Sequence, residues 1–386
     1  MYWTVHLEGG PRRVNHAAVL IEDKIYSFGG YCTGEDYKLF RPMDVHVLNT
    51  ATLRWKALNV PTSQSILETS EAPFQRYGHS AVAHGKNAFI WGGRNDEAVC
   101  KDLFCFNTET ATWKCIKTYG TCPGARDGHS ACIINDCMYI FGGFEEDIDR
   151  FSQDVFALNL QTMYWTYVQT KGIPPTYRDF HSATAIGLNM YIFGGRGDRS
   201  GALHSQVERY CHDIMYLDTR NAQWHRPVTM GDIPIGRRSH SAFVHDGKLY
   251  IFGGYNSLRE EHFNDLHRFC PKTLTWQHIK AQGEPPTKRR RQSCVVLGDR
   301  MFLFGGTSPG LSEDDEDSSD SSEYGVLRLM DHDDLHILDF RPSLFLLCLM
   351  SVITHRLDTS SLPQDVKMQL KLMTMNNNIR PRASTG

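Results

Sequence analysis

The chain has 386 residues, of which 41% are hydrophobic, and a formal net charge of −3. This length exceeds that of a usual single hydrophobic core, so it indicates two domains or one large repeat array, and the small charge points to no class of partner. The sequence has no apolar signal segment, no apolar run that could span a membrane, and 11 scattered cysteines without a C-x-x-C motif. We therefore expect a soluble protein of the cytoplasm or nucleus that is not secreted, contacts no membrane and has neither a disulfide framework nor a thiolate zinc site.

A six-fold repeat covers residues 1–341. Each unit has an apolar run that ends in two glycines, such as MYIFGG, and a histidine position thirteen residues before the first glycine. The glycine pairs begin at Gly29, Gly92, Gly142, Gly194, Gly253 and Gly305. The histidine positions are His16, His79, His129, His181, His240 and, in the last unit, Gln292. A repeated pattern of this kind predicts stacked four-stranded units closed by glycine turns.

Later in each unit, an aspartate with an aliphatic neighbour starts a third strand, and a tryptophan marks the fourth. The tryptophans are Trp55, Trp113, Trp165, Trp224 and Trp276. The sixth unit has no tryptophan after Asp334, but Trp3 at the start of the chain lies in a matching pattern. We therefore predict that a strand of residues 2–7 closes the last blade and pairs its open sheet edge.

Four short strands per unit, with the glycine pair and the tryptophan at fixed offsets, resemble the kelch repeat. The predicted fold is an all-β, six-bladed kelch β-propeller over residues 1–341. Its repeats span about 8–57, 73–115, 123–168, 175–226, 234–279 and 288–341, the last completed by residues 2–7. The acidic, serine-rich run 312–323 is interpreted as a disordered loop of the sixth blade.

Residues before the histidine position and residues after the glycine pair share one rim, because the first two strands of a blade are antiparallel. An arginine three residues before the histidine position recurs six times, which favours a structural role: Arg13, Arg76, Arg126, Arg178, Arg237 and Arg289. Polar residues that are extra to the repeat predict an anion pocket on this rim: Arg94, Arg196, Arg238, Ser239, Arg290 and Arg291. Its wall is predicted from Tyr31, Tyr77, Phe144, Tyr177, Phe180 and Tyr255.

A peptide carboxylate is the favoured ligand of this pocket. Nucleic acid also fits the charge, but the basic residues are few and the acidic run 313–323 would repel a phosphate backbone. The repeated histidines are spread around a ring, so they predict no metal site. No nucleophile lies in a recognisable catalytic motif, so we expect a non-enzymatic binding module without a cofactor or small-molecule substrate.

Residues 342–371 differ in composition from the propeller. Ser343 can cap a helix on which Leu344, Cys348 and Val352 recur every four residues, as in the box that docks on Elongin C. A second segment resembles the cullin-2 box that follows it in such receptors: Leu362, Pro363, Val366 and Leu370. A helix packed on its own propeller is the alternative interpretation.

The propeller and the two boxes together resemble the kelch-domain substrate receptors of cullin-2 ubiquitin ligases. This resemblance implies Elongin B, Elongin C and cullin-2 as partners, and C-terminal degron peptides, often ending in glycine, as ligands. It also assigns the degron carboxylate to Arg196, Arg238 and Ser239, with Arg199 as a looser match. The alternative function is a kelch interaction protein that binds chromatin, such as histone tails in meiosis, or the cytoskeleton.

Residues 372–386 are predicted to be a polar tail that ends in Gly386. A terminal glycine has the form of the ligands that the resemblance implies. We therefore expect that this tail can enter the pocket of the same or another copy of the chain. An ordinary disordered tail is the alternative.

Overall fold

The computed structural model of the chain describes residues 1–38, 40–58, 71–205, 207–310 and 329–379. Within them, six sheets built on four antiparallel strands are arranged so that their inner strands contact one another in a closed ring, and two short helices follow. The predicted six-bladed, all-β propeller is confirmed. No helix in these ranges is long and apolar enough to cross a membrane. The predictions on the acidic run 312–323 and on Gly386 fall outside the described residues.

The strands of each blade follow the chain from the axis to the outer edge. Blade 1 consists of Ala17–Ile21, Lys24–Phe28, Val45–Asn49 and Arg54–Ala57. Blade 2 consists of Ser80–His84, Asn87–Trp91, Leu103–Asn107 and Thr112–Ile116. Blade 3 consists of Ser130–Ile134, Cys137–Phe141, Val155–Asn159 and Tyr164–Tyr167.

The remaining blades repeat this plan. Blade 4 consists of Ser182–Ile186, Asn189–Phe193, Met215–Asp218 and Gln223–His225. Blade 5 consists of Ser241–His245, Lys248–Phe252, Leu266–Cys270 and Thr275–Ile279. Blade 6 consists of Ser293–Leu297, Arg300–Phe304, Leu335–Asp339 and, as its outer strand, Tyr2–Leu7.

Short strand pairs extend the loops after four of the glycine pairs. They are Phe144–Glu145 with Arg150–Phe151, Arg196–Asp198 with Glu208–Tyr210, Tyr255–Asn256 with Glu261–His262, and Thr307–Pro309 with Leu329–Asp331. The 3₁₀ turns Glu146–Ile148 and Ser257–Arg259 lie within two of these loops. The segments Tyr119–Gly120 and Met230–Gly231 run parallel to the outer strands of blades 3 and 5.

The N-terminal strand closes the propeller as predicted. Tyr2–Leu7 runs antiparallel to Leu335–Asp339, with Leu7 opposite Leu335. Trp3 is 5% exposed, and its ring lies 5.8 Å from that of Phe252 in blade 5. The first strand of the chain and the last strand of the propeller therefore lie in one sheet.

The hydrophobic core lies in the seams between blades. Each outer-strand tryptophan packs against an aromatic ring on the second strand of the preceding blade, at centroid distances of 4.9 to 5.8 Å. The pairs are Trp55–Phe304, Trp113–Phe28, Trp165–Trp91, Trp224–Phe141, Trp276–Phe193 and Trp3–Phe252. Because aromatic pairs of this kind add to the burial of apolar area, the six equivalent contacts hold neighbouring blades together.

One backbone hydrogen bond links each blade to the next around the axis. The residue directly before each histidine position has a positive φ, and its amide donates to the carbonyl of the equivalent residue in the preceding blade, at 2.7 to 3.2 Å. These residues are Asn15, Gly78, Gly128, Phe180, Ser239 and Arg291. Asn15 donates to Arg291, so the six bonds form a closed circle, which we call the axial ring.

The repeated arginines have the structural role that their six-fold occurrence favoured. In blades 2 to 6 each is nearly fully buried and donates through Nη1 to the carbonyl of the first glycine of its blade, at 2.8 to 3.2 Å. In blade 1, Arg13 instead pairs with Asp44 and Glu35. The glycine turns are too tight for side chains: a Cβ on Gly143, which has φ +94°, would lie 2.8 Å from the carbonyl oxygen of Asp127.

Two helices follow the propeller, α1 at Leu344–Thr354 and α2 at Gln364–Thr374. Ser343 caps α1 by accepting a hydrogen bond from the amide of Leu346 at 3.1 Å. Helix α2 continues three residues past the predicted boundary at 371. The predicted start of the polar tail at residue 372 is therefore three residues too early. Beyond α2, the amides of Asn377 and Ile379 donate to the carbonyls of Glu8 and Gly9, at 2.8 and 3.0 Å.

Candidate functional site

The predicted pocket residues come together on one face of the propeller, around the axis. In every blade the residue two positions before the histidine position forms a β-bridge with the residue directly after the glycine pair. The pairs are Val14–Tyr31, Tyr77–Arg94, Asp127–Phe144, Asp179–Arg196, Arg238–Tyr255 and Arg290–Thr307. We call this face the mouth. At its centre a cavity of about 150 Å³ is lined by residues of the axial ring, including Phe180, Ser239 and Arg291.

Three arginines from blades 5 and 6 form a basic side of the mouth. The guanidinium carbons of Arg290 and Arg238 lie 4.5 and 5.7 Å from the ring centre of Tyr255, and Arg291 donates to the hydroxyl of Tyr31. No described carboxylate forms an ion pair with Arg290 or Arg291, and the Nε atom of each is buried without a hydrogen-bond partner. Burial, with repulsion from Arg291 and Arg238, lowers the pKa of Arg290 to about 10. These crowded cations would be stabilised by a bound anion.

The predicted Arg94 and Arg196 lie at the mouth but are paired within the protein. Arg196 binds Asp179 through two hydrogen bonds, of 2.5 and 3.2 Å, and Arg94 pairs with Glu146. Arg199 is exposed on the blade 4 loop. The excess positive charge of the mouth is therefore concentrated on its blade 5 and blade 6 side.

The opposite side of the mouth carries two buried carboxyl groups that the sequence analysis did not single out. Asp127 and Asp179 are 7% and 1% exposed. Burial, with repulsion from Asp179, raises the pKa of Asp127 to about 7. The signal was present in the sequence, since these aspartates occupy the same repeat position as Arg238 and Arg290. Comparing that position blade by blade predicts a mouth with one acidic and one basic side.

The predicted aromatic wall is only partly assembled. Tyr31 and Tyr77 pack edge to face at 5.4 Å, together with Tyr37, which the sequence analysis missed. Phe180 lies 5.7 Å below the guanidinium carbon of Arg291 at the mouth. Tyr255 lies beneath the basic side. Phe144 packs on Phe151 of its own blade at 5.2 Å.

The tail helices expose the predicted Elongin C motif. Leu344 is 78% exposed, Cys348 is exposed, and Val352 is half-buried. Leu349, on another face of α1, is buried at 3%, and it lines a groove with Val5 of the N-terminal strand. The helix therefore packs on its own propeller and still presents the motif outwards.

The residues of the predicted cullin-2 motif differ in their exposure. Pro363 is exposed, and Leu362 and Val366 are half-buried. Leu370 is buried at 8%, so it stabilises the tail internally in this conformation. The exposed part of this motif therefore lies in its first half.

One group of side chains in the described part of the chain could approach a metal ion. It consists of His6, Asp334 and His336, whose ligand atoms lie within 4.8 Å of one another. However, Arg289 donates to both carboxylate oxygens of Asp334, at 2.6 and 2.7 Å. A cation would have to displace this guanidinium, so the chemistry of the group fits a structural ion pair better than a metal site.

Comparison with known proteins places these features among kelch proteins. Residues 78–306 match the family model described as the KLHDC2/KLHL20/DRC7 Kelch-repeats domain, and residues 12–62 match the Kelch motif. Kelch domain-containing protein 3 of Rattus norvegicus is 51% identical over 389 residues, and that of Homo sapiens 50% over 385 residues, each covering 99% of both chains. Host cell factor 2 of Homo sapiens is 30% identical over 270 residues, covering 66% of this chain and 34% of that protein.

Proposed function

Because the chain belongs to the kelch-repeat family that includes kelch domain-containing protein 3, we propose that it is the substrate-recognition subunit of a cullin-2 ubiquitin ligase. In this role the mouth binds C-terminal degrons and the tail recruits the ligase. Membership of this family supports a protein-interaction role. The observation that carries the degron proposal is the pair of guanidinium groups on Arg290 and Arg291, which have no carboxylate partner among the described residues and lie beside Arg238.

The degron carboxylate would lie between these arginines. Arg238 faces Glu208 at 3.8 Å, a loose ion pair that a bound carboxylate can replace. Ser239 projects from the axial ring next to it, and its hydroxyl can donate a further hydrogen bond. Two or three charge-assisted hydrogen bonds of about 1.5–3 kcal/mol each, with burial of the last residues, are enough for micromolar affinity. A terminal glycine suits this site because it brings no side chain against the axial ring.

The ligase proposal is supported by the tail. Helix α1 carries a leucine and a cysteine four residues apart that are exposed although both are apolar. Exposed apolar stripes on short helices typically mark partner surfaces. Elongin C, with Elongin B, would bind this stripe, and cullin-2 would contact the segment at Leu362–Val366. A rearrangement of α2 would be needed to expose Leu370.

The carboxylate proposal predicts strong dependence on one negative charge. A synthetic library of twelve-residue peptides, random except for a terminal glycine, is selected on the intact protein, and enriched peptides are measured with a free carboxylate and as amides. We expect amides to bind at least tenfold more weakly, because two charge-assisted hydrogen bonds are lost. Arg290→Gln should weaken the free-acid peptides about 10- to 100-fold.

The matched control is Arg341→Gln. Arg341 is an exposed arginine that pairs with Asp246 in a hairpin turn at the opposite face of blade 5. This variant should bind like the wild type. Equal binding of acids and amides, or equal effects of the two arginine variants, would overturn the proposed site.

The tail proposal is tested by capture of Elongin B/Elongin C. The double variant Leu344→Ala/Cys348→Ala should lose capture while melting within about 1 °C of the wild type, because both side chains are exposed. Leu357→Ala, an exposed leucine outside the stripe, should retain capture. Capture by the double variant, or no capture by the wild type, would contradict the ligase role and favour a chromatin or cytoskeletal kelch protein.

The C-terminal segment of the chain is proposed as a second ligand of the mouth. Residues 376–379 are attached beside Glu8 and Gly9. The last residues, ending in Gly386, have the chemical form of the proposed ligand. We propose that they can compete with substrate for the mouth of the same or another copy.

A further inference from the structure

Four large apolar side chains are exposed on the loops at one side of the mouth. They belong to blades 3, 4 and 5, and they are 50% to 65% exposed: Ile148, Leu203, Val207 and Leu258. Single exposed apolar residues are ordinary on protein surfaces, whereas several on adjacent loops mark a contact surface. We call these four residues the apolar crest.

The crest loops are bound to one another. Leu203 of blade 4 forms a β-bridge with Arg150 of blade 3, two residues from Ile148. Glu208, next to Val207, accepts a hydrogen bond from the hydroxyl of Ser257, next to Leu258. The crest is therefore one surface made by three blades.

The supporting structure also holds the crest in place. Asp198 accepts hydrogen bonds from the amides of Ser200 and Ser205, each at 2.7 Å, which fixes the blade 4 loop. The ring of His204, the residue after Leu203, packs on that of Phe151 at 5.6 Å. A loop that is fixed in this way loses little backbone freedom when a ligand binds.

The crest adjoins the basic side of the mouth. Glu208 lies 3.8 Å from Nη1 of Arg238 and accepts a hydrogen bond from Ser257. Val207 directly precedes Glu208 in the chain, and Leu258 directly follows Ser257. An extended peptide advances about 3.3–3.6 Å per residue. A chain whose carboxylate binds the arginines therefore reaches the crest a few residues before its end, which we take as about three to five residues.

We propose that the apolar crest is a second subsite for the same ligand, which selects apolar side chains about three to five residues before the terminal carboxylate. This inference rests on the proposed degron-binding function. The occupant is the upstream part of the substrate's C-terminal peptide. Its negative end complements the unpaired arginines, and its apolar residues cover the crest. The preferred substrates are thus proteins with an apolar residue shortly before a C-terminal glycine.

The peptide selection with a random twelve-residue library tests this subsite directly. Wild-type protein should enrich Leu, Ile, Met or Phe at one or two positions about three to five residues before the glycine. Leu203→Ser/Leu258→Ser should lose this enrichment and bind the selected peptides about five- to tenfold more weakly. Val228→Ser is the matched control, since Val228 is 86% exposed but lies near Met230–Gly231 at the outer edge of blade 5.

The outcomes separate this inference from the proposed function. Selected peptides that need a free carboxylate, show no apolar preference and bind the crest variant unchanged would overturn the subsite and leave the degron site standing. Equal binding of acids and amides would overturn the degron site and the inference that rests on it. Equal losses in the crest variant and in Val228→Ser would also overturn the subsite.

Discussion

A chain that lacks residues 1–8 is expected to lose more than about 5 kcal/mol of folding free energy, because three buried apolar side chains leave the last blade. Trp3, Val5 and Leu7 are 5%, 8% and 1% exposed. The deletion also uncovers the ladder groups of Leu335–Asp339 and removes the contact of Trp3 with Phe252 between blades 6 and 5. Since folded proteins have about 5–15 kcal/mol of stability, this loss is a large part of the total.

A milder variant keeps this prediction measurable if the truncated chain does not fold. Trp3→Ala should cost about 3–5 kcal/mol in urea denaturation, because it empties the seam against Phe252. Glu8→Ala, whose side chain is exposed at the end of the same strand, should change stability by less than about 0.5 kcal/mol. An unchanged melting temperature after deletion of residues 1–8 would show that this strand does not hold the propeller closed.

The folding free energy should also fall steeply in mild acid. Burial lowers the pKa of four of the repeated histidines to about 3: His16, His79, His129 and His240. In the unfolded chain they take up protons near pH 6.5, whereas the folded protein keeps them neutral. Their contribution is therefore complete above pH 6.5 and declines as the pH falls from 6.5 towards 3, by about 1.4 kcal/mol per pH unit for each histidine.

Asp127 acts in the opposite direction. Its pKa of about 7 in the folded protein means that folding favours its protonated form, which adds stability as the pH falls from 7 towards its usual value. The folding free energy that Asp127 adds offsets the loss from about one of the four histidines. Urea denaturation at several pH values between 7.5 and 5 measures the net slope, and stability that does not change over this range would contradict the prediction.

The sixth blade supplies a matched variant for this experiment. Gln292 occupies the histidine position there, and its Nε2 donates to the carbonyl of Phe252 at 3.1 Å. His129→Gln should therefore be tolerated in the blade, and it should reduce the slope of stability against pH by about 1.4 kcal/mol per unit. The same slope in both proteins would mean that His129 does not titrate on unfolding.

Much of the fold could be predicted because it repeats. The histidine recurs at a fixed offset from the glycine pair, as His129 does from Gly142, and the tryptophan at a fixed offset from the aspartate, as Trp165 does from Asp154. The six units therefore reinforced one another, and the absence of a tryptophan after Asp334 led to Trp3. The exact end of α2 could not be predicted in this way. Its last turn is stabilised by tertiary contacts, including those of Met373 with the core of blades 1 and 6.

The site was harder to predict because charge depends on pairing. Arg196 and Arg290 are equally basic in the sequence, but Asp179 neutralises one and no described carboxylate pairs with the other. The apolar crest was missed for a related reason. Leu203 and Leu258 are 55 residues apart in the chain, and only the contacts between loops of adjacent blades, such as Ser257 with Glu208, bring their loops together.

The axial ring links the blades through its backbone, while its residues line the central cavity of the mouth. Its hydrogen bonds use only backbone amides and carbonyls. Four of its residues carry side chains, Asn15, Phe180, Ser239 and Arg291, whereas Gly78 and Gly128 carry none. The bonds themselves do not depend on the chemistry of these side chains. A substitution at one of these positions should therefore change the chemistry that the cavity presents and keep the same scaffold, provided that the new residue tolerates a left-handed backbone.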